Sequence, residues 1–510
     1  MTTTRRDFLK FVVAGSVAAG CPLDLSLLAA PDSGKPQIEG DHYDMCHQVR
    51  DGHTFARPPV TRKCDILIVG GGVSGLSAAY FLRAHDFLLL EKEPRWGGNA
   101  SLEEYEGQAF ATGSAFDYQG TASDQLGREL GLAPLLINSP DSTIVNGKWV
   151  ADTWGAGLAE LPYPASVRES FRKFRKDMLP LAAGNNQEQF DSIPLSKYLK
   201  GYSPEVKLWW DTYGPSNYGA KSEDTSAMIA LSELREEAQA AENDTRVTLP
   251  GGNGVLARRL SEVLLAKYAD HMIADATIVA VEPRKTDVRV TYFHGGALRA
   301  VAAKFVVMAA PKMIAVRLIS GLSDAQTDAM RSLRYCPYAV INMIFEKAAY
   351  DRSYDTWCPG ASFADMIVAD WVSRKDPGYK PKNAILTFYT PISELDRNKL
   401  LSLDGCRRIA ANVLRDYHKL LPELTAEPLE VRLYRRGHPI FLSAPDVATK
   451  TIPAASRPLD RIVFANTDSL GPESLVYAAV DAARRATEWL DKRMAGASPA
   501  ESRAAAGFAG

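Results

Sequence analysis

Asp65-Ile66-Leu67-Ile68-Val69-Gly70-Gly71-Gly72-Val73-Ser74-Gly75, followed by Phe87-Leu88-Leu89-Leu90-Glu91, decides the fold. Ile66 to Val69 is a short apolar run of the kind buried on both faces in a parallel sheet. An apolar-periodic helix runs from the glycines to about His85, and Phe87 to Leu90 reads as a second buried strand. This is a βαβ unit with G-x-G-x-x-G at its first turn and an acid ending the second strand, the pattern that holds a dinucleotide. Gly70 permits the tight turn, and Gly72 lets the backbone approach a pyrophosphate at the helix start, where Val73 and Ser74 lie. Gly75 lets the helix pack on the strand, and Glu91 accepts hydrogen bonds from the ribose hydroxyls.

Just downstream, Glu91-Lys92-Glu93-Pro94-Arg95-Trp96-Gly97-Gly98-Asn99 resembles the E-x-x-x-R-x-G-G-R extension of the flavin amine oxidase and phytoene desaturase superfamily. The resemblance implies FAD, with Arg95, Gly97, Gly98 and Asn99 beside the cofactor; Asn99 stands where the family usually has arginine. Further on, Gly113, Ser114 and Ala115 resemble the small-residue loop beside the flavin ring. The strand Thr277 to Val281 resembles the one whose backbone, at Val281, touches adenine. Ile462 to Asp468 and the helix from Val476 resemble the segment contacting the ribityl chain and flavin, with Asp468 on a ribityl hydroxyl. The implied fold is α/β: a discontinuous Rossmann-type FAD-binding domain (63–150, 246–320 and 456–492) interleaved with an α+β substrate domain (151–245 and 321–455). The Ala/Gly/Ser-rich stretch 493–510 reads as a disordered tail.

The chain has 510 residues, 46% hydrophobic and 24% charged, with a formal net charge of -2. That balance fits a globular protein and excludes nucleic acid as an expected partner. Cys21, Cys46, Cys64, Cys336, Cys358 and Cys406 form no C-x-x-C pair, which argues against zinc, c-type haem and dithiol motifs. A Cys336–Cys358 disulfide is open on spacing. Residues 1–30 read as a signal peptide: Thr4-Arg5-Arg6-Asp7-Phe8-Leu9-Lys10 precedes a short apolar stretch, too short for a bilayer span. The run resembles the twin-arginine export motif, which implies the twin-arginine machinery as a partner and a periplasmic, folded holoprotein. Cleavage after Ala30 is the preferred reading; lipid attachment at Cys21 is the alternative.

Residues 31–62 form an arm before the βαβ unit, in which His42, Cys46, His47 and His53 cluster without any known metal-ligand spacing. No metal is expected. The arm, with Val49-Arg50-Asp51-Gly52, resembles the corresponding segment of bacterial spermidine dehydrogenases. That resemblance implies oxidation of an amine, a polyamine such as spermidine being favoured. Hydride passes from the carbon next to nitrogen to the flavin, and the imine hydrolyses to an aldehyde; the electron acceptor (oxygen, a cytochrome or a quinone) stays open. A carbon–carbon desaturase of the phytoene type is the alternative. Val340 and Ile341 occupy positions where the family often carries a lysine, and Leu475 stands nearest to a usual cage tyrosine. His438 and Tyr434 are the candidates for polar contact with the reacting amine, although a histidine before Pro439 also suits a plain turn. Trp209, Trp210 and Tyr213 suit either a cation-attracting pocket or a core stripe. The acidic run Glu233, Glu236, Glu237, Glu242 and Asp244 reads as a solvated helix face, with attraction of a polycation as the other option.

Overall fold

The computed structural model describes residues 36–184, 186–239, 244–347 and 350–507. The signal-peptide reading, Cys21 and Glu242 lie outside the described residues. Two sheets organise the rest. In the first, strand order runs Met272–Ile273, Phe87–Leu90, Val60–Val69, Ala297–Met308, Val288–His294 and Thr277–Pro283, with Ile462–Phe464 pairing the far end of Ala297–Met308. Its central strands are parallel. Both faces are covered: Ile66 and Ile68 meet a helical layer containing Leu76, Leu260 and Trp489, while Leu67 and Val69 meet a second core. This two-sided burial is why these strands read as continuous apolar runs.

The second sheet orders Gln37–Gly40, Glu430–Phe441, Tyr335–Phe345, Ala384–Pro391, Asp365–Val368, Asp355–Trp357, Ser142–Val145 and Lys148–Ala151. Here the strand period of two matters. Ala339, Ile341 and Met343 pack against Cys406, Ile409 and Val413 of the helix Leu403–Leu420. Tyr338 and Val340 therefore face the other way, into the cavity between the layers. A helical group (Ala165–Ala182, Pro204–Asn217 and Ala227–Gln239) closes the side of that cavity around Trp154, Trp209 and Trp210.

Two expectations are corrected. The C-terminal stretch is ordered as a helix, Pro499–Ala505: Ser498 and Glu501 form a reciprocal capping box, Pro499 starts the helix, and Ser502 and Ala506 are buried. This helix packs on the helix Val476–Met494 through Ser502 and Ala506, small residues that let the two backbones come close. Cys336 and Cys358 are free thiols in separate core clusters, so they form no disulfide. No helix among the described residues is long and apolar enough to cross a membrane.

Candidate active site

One cavity of about 1430 Å³ runs between the two sheets. Small-ligand pockets are typically about 300–1,000 Å³, so there is room for a dinucleotide and a second molecule. At one end stands the βαβ turn. Gly70 has φ +102, and a Cβ on Gly75 would lie 1.7 Å from the Gly70 carbonyl oxygen, so helix and strand meet only because residue 75 is glycine. The helix Val73–Phe81 begins at Gly72 with no side-chain cap, leaving its first N–H groups toward the cavity, which Gly72, Val73 and Ser74 line. Gly97 bridges to Gly72, and a Cβ on Gly98 would come within 3.0 Å of the Gly72 Cα. The floor is thus bare backbone, the surface a pyrophosphate needs. Glu91 is 6% exposed, and its carboxylate accepts from the Gly71 N–H (2.5 Å) and the Glu93 N–H (2.8 Å), with lone pairs left for ribose hydroxyls. Burial raises its pKa, held back by those two bonds. Gly113, Ser114, Ala115, Asn99 and Val476 also line the cavity, Asn99 donating to the Pro439 carbonyl at 3.3 Å. These residues fit a flavin dinucleotide.

Four expected contacts fall elsewhere. Arg95 points outward, its side chain 68% exposed and paired with Glu103 at 3.0 Å. Val281 is fully buried within its sheet, its carbonyl accepting from the Ser320 N–H, and Thr277 and Ile278 of the same strand reach the cavity. Asp468 has 0% exposure and turns inward to the Lys312 ammonium (3.0 Å), the Lys312 N–H (2.7 Å) and the Tyr335 hydroxyl (2.7 Å). Its neighbours Asn466 and Thr467 line the cavity instead. Tyr434 is buried and donates to Glu103 at 2.6 Å, out of reach of the cavity.

His438 does line the cavity. Burial, with the nearby Arg397 charge, lowers its pKa to about 4, so the ring is neutral and accepts from the Arg397 guanidinium. Its other charged neighbours are Asp41, Arg317 and His47, which belong to the arm and the cofactor layer. His438 is therefore grouped with the dinucleotide end.

The opposite part of the cavity is acidic and aromatic. Glu233, Glu236 and Glu237 of the helix Ala227–Gln239 face into it, as do Asp355, Asp365 and Glu473. Glu233 and Glu237 are thus cavity wall, which corrects their reading as a solvated face, whereas Glu236 is exposed at the rim and Asp244 is held by Arg246. Burial, with Glu236 and Glu473 as charged neighbours, pushes the Glu233 carboxyl up to about 8. Burial pushes Asp365 up to about 8 and Glu473 to about 7. Asp355 is 2% exposed, and its Oδ1 has no hydrogen-bond partner among the described residues. Tyr213 donates to Glu233, and Ser216 links Asp365 (2.8 Å) to the Tyr338 hydroxyl (2.6 Å). Tyr338 and Tyr389 stand edge to face with centroids 6.2 Å apart, and Tyr389 donates to the Gly113 carbonyl at 2.6 Å. Trp209 and Trp210 are core residues around Trp154, whereas Tyr213 reaches the cavity. Val340 lines the wall where the resemblance expects a lysine, and Leu475 lines it near the final helix.

Among the described residues no three His, Cys, Asp or Glu groups converge on a metal-sized site. In the arm, His42 pairs with Glu93, His47 lies against Tyr43, and His53 lies against Phe55.

The sequence matches the model of the flavin-containing amine oxidoreductase family over residues 73–488. Among curated proteins it is similar to the oxidoreductase PigB of Serratia sp., 21% identical over 83% of this chain and 75% of that one. It is also similar to the chloroplastic protoporphyrinogen oxidase 1 of Spinacia oleracea, 23% identical over 56% of this chain and 57% of that one. Among solved structures, the cyclohexylamine oxidase of Brevibacterium oxydans superposes with a TM-score of 0.65 at 19% identity, covering 85% of this chain and 99% of the other. A putrescine oxidase with bound putrescine superposes with a TM-score of 0.63 at 18% identity, covering 85% and 100%.

Proposed function

The chain belongs to the flavin-containing amine oxidoreductase family and is an FAD-dependent oxidoreductase; on that premise we propose that it oxidises an amine bearing more than one positive charge, a polyamine of the spermidine type. The observation that carries the proposal is the acidic wall: Glu233, Glu236, Glu473, Asp355 and Asp365 share one end of the cavity with tyrosine faces. Carboxyls crowded together, with Asp355 and Asp365 buried and Glu233 and Glu473 half-buried, hold protons until a cation replaces them. The unpartnered Asp355 Oδ1 is an acceptor awaiting a donor.

When bound, FAD accepts the hydride from the carbon beside nitrogen. The chain's own task is to bind and orient. The acidic wall holds the charged nitrogens, tyrosine faces attract the alkylammonium, and the Tyr338–Tyr389 pair borders the Gly113 loop where the reacting carbon would lie. Closely packed apolar walls, including Val340 and Ile367, exclude water from that end. The amine to be oxidised must be neutral, so one nitrogen loses its proton while the acidic wall stabilises the charge on the others. The Arg5–Arg6 run supports twin-arginine export of the holoprotein to the periplasm; cell fractionation with an Arg5→Lys, Arg6→Lys variant tests that part.

The activity test is anaerobic spectrophotometry of the yellow holoprotein titrated with spermidine, putrescine and monoamines. Bleaching by polyamines at lower concentration than by monoamines is expected. Bleaching by a polyene and by no amine would overturn the proposal in favour of carbon–carbon dehydrogenation.

A further inference from the structure

The arm has no part in the chemistry above, yet it crosses between the two layers that enclose the cavity. Gln37–Gly40 extends the second sheet, pairing parallel with Glu430–Phe441 so that Gly40 lies beside Arg435. Asp41 then accepts from the Arg436 guanidinium (3.2 Å) and the Gly437 N–H (3.2 Å). One residue later the attachment changes layer. The His42 N–H donates to Glu93 at 2.9 Å, its ring lies 3.0 Å from the other Glu93 oxygen, and Lys92 donates to its carbonyl at 3.3 Å. Glu93 in turn supplies the N–H that holds Glu91, the ribose-facing acid. The helix Asp44–Arg50 continues over this loop, with Val49 packed against the core beneath the first sheet. Tyr43, Cys46, His47 and Arg50 face the cavity opposite Thr277 and Ile278.

We propose that residues 37–50 are a clasp for FAD, closing over the adenosine half and anchored to both layers, so that the cofactor leaves only when the arm lifts. The inference rests on FAD as the cofactor and is independent of the substrate. Asp41 is the first anchor and the His42–Glu93 contact the second. The cavity-facing side chains between Tyr43 and Arg50 are the adenosine's outer wall, with aromatic faces and a cation suited to a purine nucleotide.

Two measurements on the holoprotein test it. The first is the rate at which free flavin fluorescence appears after dilution. It compares wild type, Asp41→Ala, and a protein carrying a protease site in the exposed 52–57 segment, cleaved after folding. Release about tenfold faster or more is expected in both altered proteins, the loss that follows removal of charge-assisted hydrogen bonds. The second is amide hydrogen exchange of residues 44–50 in apoprotein and holoprotein. A clasp gains protection when FAD binds, whereas a merely structural arm is equally protected in both. Unchanged release from the cleaved protein, or equal protection with and without FAD, would overturn the proposal; the cleaved protein keeps the test valid if Asp41→Ala does not fold. Amine specificity enters neither readout, so failure here leaves the substrate assignment untouched.

Discussion

Asp468→Asn separates a structural role for this acid from the cofactor contact that the motif suggests. Lys312 and Asp468 are both at 0% exposure, 3.0 Å apart, and the Asp468 carboxylate also takes the Lys312 N–H and Tyr335 hydroxyl at 2.7 Å each. Burial lowers the Lys312 pKa, and the Asp468 charge opposes that shift. An asparagine amide turns at least one of these acceptors into a donor facing a donor and leaves the ammonium without a counter-charge. Breaking a buried pair in this way costs about 3–5 kcal/mol, a large share of a stability of about 5–15 kcal/mol. Lys312→Met combined with Asp468→Asn removes the stranded charge and lets the carbonyl of the new amide accept from Tyr335, so it recovers most of the loss. The assay is denaturant unfolding of apoprotein and holoprotein by circular dichroism, with FAD affinity measured separately by flavin fluorescence. Apoprotein destabilised by several kcal/mol, with rescue in the double variant, is expected. Apoprotein stability equal to wild type with weakened FAD binding would refute the reasoning and return Asp468 to the ribityl chain.

Glu233→Gln lowers kcat/KM for spermidine by roughly 10- to 100-fold while leaving simple monoamines within a few-fold, because a charge-assisted hydrogen bond is worth about 1.5–3 kcal/mol; steady-state kinetics on both classes check this. Carboxyls with raised pKa values favour the folded state at low pH and lose that contribution as pH rises, for Glu233 between about 4.5 and about 8. Thermal unfolding of substrate-free protein should therefore fall less steeply from pH 6 to 8 in Glu233→Gln than in wild type. The same protons leave when a polyamine binds, so its apparent affinity rises over that interval, as isothermal calorimetry in buffers of different ionisation heat would show by proton release. Gly75→Ala sets a Cβ 1.7 Å from the Gly70 oxygen; it should yield protein with little bound flavin, read from the 450/280 nm absorbance ratio.

The cofactor layer is legible because it is repetitive local physics: apolar strands, a turn that only glycine can make, and an acid at a strand end. What sequence does not reveal is the direction of single side chains at the ends of those elements. Asp468 and Thr467 are adjacent, and the backbone turn after Ile462–Phe464 aims Thr467 at the cavity and Asp468 at Lys312. Val281 and Ile278 sit in one strand, and the register irregularity between Ile278 and Ala280 turns both toward the same core, so that only the residues at the start of the strand, Thr277 and Ile278, reach the cavity. The acidic run is readable as one helical face, since Glu233 and Glu237 are four apart. Whether that face meets bulk water or an internal cavity depends on the sheet opposite it, whose strands are distant from it in sequence. The arm's role is hidden for the same reason, its partners Glu93 and Arg436 being distant from it in sequence and from each other.

Charge explains how one open space can serve two ligands without confusion. At the dinucleotide end the cavity presents Lys92, Arg317, Arg397, Arg435 and Arg436. The acids there are already engaged, Asp41 by Arg436, Glu91 by backbone N–H groups and Glu93 by Lys92 and His42. A diphosphate meets net positive charge and helix N–H groups. At the other end the balance reverses: Arg246 is occupied by Asp141 and Asp244, and among the described lining residues Arg235 alone is left against Glu233, Glu236, Glu473, Asp355 and Asp365. With low-dielectric walls between them, the two ends repel each other's ligand and attract their own. Under the polyamine proposal, a cationic amine is drawn past the tyrosines toward the acidic wall, and the carbon left nearest the Gly113 loop is selected by the length of chain that wall holds.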